Sequence, residues 1–173
     1  MIRTMRILAV WLTATLMASA VMAAAEMKQI PVVRLQATAD VAALPAAVWA
    51  QLTQGKNLVT WCPVWKNAAN SKVAVTRVGD VIQYMDEWNH GGRSVVTFLA
   101  KNKELRVVHE PTDGSYICQA KMILAPTASG TALHYTEQYT DESKPADLQA
   151  TAQKMESEMQ QSLAAIKKAA EKK

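Results

Sequence analysis

The segment beginning at Pro145 constrains this chain more than any other. Leu148, Ala152, Met155, Met159, Leu163 and Ile166 recur at three- and four-residue intervals, and Gln149, Lys154, Glu156, Glu158 and Gln161 fill the other sides. That is the pattern of one long amphipathic helix. Pro145 suits its first turn, Asp147 the positive end of the helix dipole, and Lys167 and Lys168 the negative end. Such a helix must bury its apolar stripe, and most of the preceding chain offers only β-structure to bury it on.

Between Val64 and Tyr139 no helical period is sustained. β-branched and aromatic runs alternate with turn signals at Gly79-Asp80, Asn89-His90-Gly91-Gly92, Asn102-Lys103, Asp113-Gly114 and Ser129-Gly130. This spacing predicts an antiparallel meander with strands over 73–78, 81–88, 94–101, 105–110, 116–124 and 131–139. An earlier strand is predicted over 32–39. It is followed by a helix over 44–52 with Leu44, Val48, Trp49 and Leu52 on one stripe and Gly55 as its stop, then a short helical piece over 57–61.

The first 25 residues read as a leader. Arg3 and Arg6 precede an apolar run, and Val21-Met22-Ala23 and Ala23-Ala24-Ala25 both present a small-x-small cleavage pattern, so cleavage is expected after Ala23 or Ala25. At 7–25 the apolar stretch is nearly long enough for an anchor, but its alanine content and doubled cleavage pattern favour removal. The expected organisation is a signal peptide over 1–25 and a single domain over 26–173, periplasmic or secreted, with no stable membrane insertion after cleavage. Six Gly and six Pro in 173 residues leave no room for a collagen-like or low-complexity chain.

Losing Arg3 and Arg6 lowers the net charge from +4 to +2, so a nucleic-acid partner is not expected. An oxidising compartment leaves two readings open for Cys62 and Cys118: a disulfide, or two buried thiols acting as small apolar groups. Two Cys are too few for a four-Cys zinc module, and the three His form no H-E-x-x-H pair. Neither a metal nor a cofactor is expected. The sequence carries no G-x-S-x-G elbow, P-loop or G-x-G-x-x-G turn.

The order of strand, two short helices, meander and long terminal helix resembles the START-like or SRPBCC superfamily. This is the helix-grip fold of birch-pollen-allergen relatives, polyketide cyclases and coenzyme Q-binding proteins. Pro45-Ala46-Ala47-Val48-Trp49-Ala50-Gln51-Leu52-Thr53 is similar to the P-x-x-V-W-x-x-L-T start of that family's first helix, and Trp61-Cys62-Pro63 to the W-x-P that follows. Val78-Gly79-Asp80 resembles its V-G step, and Ala125-Pro126 with Gly130-Thr131 its P…G-T hairpin. The resemblance implies an α+β helix-grip fold, with a curved antiparallel sheet of about seven strands around the terminal helix. It also implies an apolar cavity for lipids, quinones, polyketides or similar small molecules.

Met155 and Met159 on the helix, with Met85 and Met122 on strands, are candidate lining residues. Trp61 and Trp65 are candidate rim residues, Trp88 is a third candidate for rim or core, and Trp49 is expected in the core. Strand parity sends Leu133, Tyr135, Glu137 and Tyr139 to one face, leaving His134, Thr136 and Gln138 outside. The same parity groups His109 with Leu105 and Val107. Arg77, Arg93 and Arg106 are candidates to pair with Glu137 or to hold an acidic head group. Three functions stay open: binding of a hydrophobic small molecule; cyclase- or dehydratase-type acid/base catalysis by Glu137, His109 and a Tyr; and a structural or stress-related role with a vestigial cavity. The residues favour the first and leave the oligomeric state open.

Overall fold

In a computed structural model the chain is described over residues 31–65, 68–85, 91–141 and 145–172. The leader and Trp88 lie outside the described residues. Six strands form one antiparallel sheet: β1 (Val32–Val41), β2 (Val81–Met85), β3 (Gly91–Ala100), β4 (Glu104–Pro111), β5 (Tyr116–Thr127) and β6 (Gly130–Asp141). Its order is β1-β6-β5-β4-β3-β2, so the meander runs across the sheet from one edge and ends beside the first strand. Between β1 and β2 lie helices α1 (Pro45–Thr53) and α2 (Gly55–Trp61) and two single-turn helices, and the chain ends in α3 (Pro145–Ala170). α3 packs against β1, α1, α2 and β6.

The stretch 73–78 is not a strand. Only Ala74 is paired, in an isolated bridge to Gln54. Asp80 folds the rest into a turn: Oδ2 accepts the Thr76 and Arg77 backbone N–H groups at 2.6 and 3.0 Å, and Gly79 takes a positive φ of 91°. The turn reaches the sheet through Gly79 N–H to Val96 O at 2.8 Å and Val96 N–H to Asp80 O at 2.9 Å, just before the irregularity in β3 between Val96 and Phe98. Among the described residues the sheet therefore has six strands where about seven were expected.

Gly55 opens α2 rather than stopping α1. A Cβ there would meet Asn70 O at 2.1 Å and Val73 O at 2.4 Å, so the close approach of these backbones requires glycine. Gly130 is constrained likewise, with φ 150° and a built Cβ 2.1 Å from Val41 O.

One end of the space between sheet and helices is solid. Val48, Trp49, Leu52 and Leu58 from α1 and α2 meet Leu163 and Ile166 from α3 and Leu105, Met122, Leu124 and Leu133 from the sheet, all buried. Polar bonds fix the helix over this core. Ser162 Oγ donates to Trp61 O at 3.0 Å, Lys167 Nζ donates to Asp40 O at 2.6 Å, and Glu171 Oε1 accepts Ala42 N–H at 2.7 Å. At the other end of α3 the helix and sheet do not close on each other.

Candidate functional site

The unfilled end is a cavity of about 360 Å³ bounded by α3, the segment after α2, and β2, β4, β5 and β6. From α3 it is faced by Thr151, Lys154, Met155, Glu158, Met159 and Ser162. These positions fall at i, i+3, i+4, i+7, i+8 and i+11, one helical stripe. The sheet and the loop after α2 supply mostly rings and thiols: Trp65, Tyr84, His109, Tyr116, Tyr135, Tyr139, Cys62 and Cys118.

The rings brace one another. Tyr116 and Tyr139 stack at 5.3 Å between centroids, Tyr116 Oη donates to Tyr84 Oη at 3.0 Å, and Tyr84 meets the His109 ring edge-on at 6.0 Å. Trp65 lies tilted by 39° against His109, 5.8 Å between centroids. Its Nε1–H donates to Ser94 Oγ at 2.9 Å, and that hydroxyl is 2.7 Å from His109 Nδ1. Ser94 is fully buried, so the Trp65–Ser94–His109 chain holds the imidazole in one orientation. Burial depresses the His109 pKa to about 4, so the ring is neutral at neutral pH.

Glu137 behaves oppositely. Burial pushes its pKa up to about 7; the Tyr135 hydroxyl, donating to Oε1 at 2.5 Å, works against that rise, and the nearby Glu158 charge adds to it. Cys62 and Cys118 are both free and buried, and burial, reinforced by the Glu137 charge, pushes both thiols well above their ordinary range. In this structure they are cavity-wall thiols rather than a disulfide. Lys154 and Glu158, half-exposed and 3.7 Å apart, sit beside the apolar Met155 where the helix borders the opening.

Several expected residues meet here: Trp65, Met85, His109, Tyr135, Glu137, Met155 and Met159 all line the cavity. Met85 is half-exposed at the mouth, whereas Trp65 is 1 % exposed and belongs to the wall rather than the rim. Trp61 does not line the cavity. It is buried behind it, edge-to-face with Trp65 at 5.3 Å and with Nε1–H donating to Gln51 O at 2.8 Å, because that carbonyl needs a partner where α1 meets α2. Met122 is also core, fully buried against the solid end. Among the described residues no arginine is bonded to Glu137. Arg77 pairs with Asp80, Arg93 with Glu110 and Arg106 with Glu104, all on the outer surface.

Sequence reasoning missed Tyr84, Tyr116 and Ser94, and did not place the two cysteines in the wall. Parity held the signal: Tyr84 shares a face with Ile82, and Cys118 shares one with Ala120 and Met122, all buried.

The chain belongs to the polyketide cyclase / dehydrase and lipid transport family, whose model matches residues 32–171. The comparison with curated proteins finds no match. Among solved structures, a Bacillus halodurans protein aligns with a TM-score of 0.64 at 11% identity, covering 83% of this chain and 99% of that one. The Aha1 dimer from Colwellia psychrerythraea aligns at 0.61 and 20% identity, covering 80% and 96%. A norcoclaurine synthase point mutant from Thalictrum, in complex with a transition-state analogue, aligns at 0.60 and 13% identity, covering 83% and 97%. These likenesses establish the helix-grip fold. Among the described residues no helix is long and apolar enough to cross a membrane.

Proposed function

We propose that the mature protein is an exported carrier of a hydrophobic small molecule, lipid-, quinone- or polyketide-like, held between the sheet and α3. The observation that carries this reading is the cavity itself. It is braced by aromatic rings, softened on the helix side by Met155 and Met159, and falls in the size range of small-molecule sites. The family description names lipid transport beside cyclase and dehydrase chemistry. Export rests on the leader pattern of residues 1–25.

The test is titration with an environment-sensitive apolar fluorophore, together with native mass spectrometry of the gently purified protein. Wild type is expected to bind one equivalent, and Met155→Trp, which fills the opening, to bind at least about tenfold more weakly with unchanged thermal stability. Equal binding by both proteins contradicts the reading.

A second reading, acid/base catalysis of the cyclase or dehydratase kind, is favoured by one observation. Glu137 and His109 face the same cavity with pKa values displaced in opposite directions, which leaves a carboxyl poised near neutrality beside a neutral imidazole. Glu137→Gln separates the two readings: a carrier keeps its affinity for an apolar probe, and an enzyme loses turnover.

A further inference from the structure

Three of the cavity's side chains carry a different implication. His109 on β4 and Cys118 on β5 are direct cross-strand partners, and Glu137 on β6 pairs with Ala120, two residues from Cys118. Alternation of side chains sends all three to the same concave face. Their ligand atoms, one nitrogen, one sulfur and one oxygen, all lie within 4.8 Å of one another.

We propose that His109, Cys118 and Glu137 form a three-ligand site for a single divalent cation of borderline softness, zinc foremost, with its remaining coordination position open to the cavity. A mixed N/S/O set is the donor chemistry that zinc accepts, and three protein ligands with one open position is its arrangement where an exchangeable molecule binds. Zinc bonds of about 2.0–2.3 Å in a tetrahedron put neighbouring donors about 3.3–3.8 Å apart, so an adjustment of about 1 Å closes the set.

The surroundings are those of a metal site. His109 Nδ1 is held by Ser94 Oγ, which also accepts from Trp65; a hydroxyl oxygen has room for both, leaving His109 Nε2 to face the ion. Glu137 is oriented by the Tyr135 hydroxyl. Two of the three ligands thus have outer partners already in place. Among the described residues no arginine is bonded to this carboxylate: Arg77, Arg93 and Arg106 each pair with another acid, and Arg34 is exposed. The ligands come from three strands, which explains why the chain shows no metal-binding spacing in sequence. The site does not depend on an oily guest being bound.

Cobalt(II) titration of the reduced, chelator-treated full chain tests this. One equivalent is expected to give intense four-coordinate ligand-field bands and a thiolate-to-cobalt charge-transfer band, both bleached by zinc. Cys118→Ser is expected to abolish the charge-transfer band, and Cys62→Ser to retain it. Glu137→Gln and His109→Gln are each expected to weaken binding at least about tenfold. Circular dichroism confirms folding; if Cys118→Ser does not fold, Cys118→Ala is read in its place, and the near-isosteric Glu137→Gln carries the test if neither folds. Absence of the bands in folded wild type overturns the proposal. So does a charge-transfer band that survives loss of Cys118 but vanishes in Cys62→Ser, or affinity unchanged in Glu137→Gln. Because the apolar-fluorophore titration is read separately, failure here leaves the carrier reading standing, and the reverse.

Discussion

The Tyr135 hydroxyl lies 2.5 Å from a carboxylate oxygen of Glu137, two residues along the same strand and on the same concave face. Strand parity places them together, and the buried contact is a short hydrogen bond to the carboxylate. The bond is the one contribution that opposes the upward displacement of Glu137.

Removing it has a signed consequence. Tyr135→Phe takes away the donor to the carboxylate, so the Glu137 titration midpoint is expected to rise further above 7. Carboxyl carbon NMR of selectively labelled protein measures it. A midpoint that stays or falls contradicts the assignment of the bond.

The two displaced groups also predict how stability follows pH in chelator-treated protein. For Glu137, the folded value of about 7 lies above the ordinary value of 4.5, so within that window the folded state keeps a proton that the unfolded state has released, and stability falls as pH rises. For His109, the folded value of about 4 lies below 6.5, so within that window the unfolded state holds the extra proton, and stability falls as pH falls. The two slopes oppose each other where the windows overlap. Glu137→Gln is expected to expose a rise in urea midpoint from about pH 4 to 6.5, and His109→Gln a fall from about 4.5 to 7. Parallel profiles for the two variants contradict the account.

The solid and open ends of the interior differ in what truncation costs. Leu133 is fully buried, and Leu133→Ala is expected to cost about 2–5 kcal/mol in urea unfolding. Met85 is 49% exposed at the cavity mouth, and Met85→Ala is expected to stay within about 0.5 kcal/mol. Comparable losses mean that the mouth is packed like the core.

Much of this arrangement was legible in residue order. The Leu148-to-Ile166 stripe called for a sheet to cover it, turn residues punctuated the meander, and alternation brought Glu137 and His109 inward. The stretch 73–78 misled because β-branched residues resemble a strand, while the Asp80 carboxylate, satisfying two backbone N–H groups, makes a turn cheaper than a ladder. Trp61 and Met122 misled because an apolar side chain carries no mark of whether it faces a void or a neighbour. Lys154 and Glu158 misled in the opposite sense: read as filling the outer sides of the helix, they share the cavity-facing stripe with Met155 and Met159, where half-exposure at the open end keeps their charges solvated.

Methionine methyl NMR during titration with an apolar fluorophore tests the central claim most directly. If the guest lodges between the sheet and α3, the Met155 and Met159 methyl resonances shift to saturation at one equivalent while Met122, locked in the solid end, stays put. Saturating binding that leaves Met155 and Met159 unmoved contradicts it.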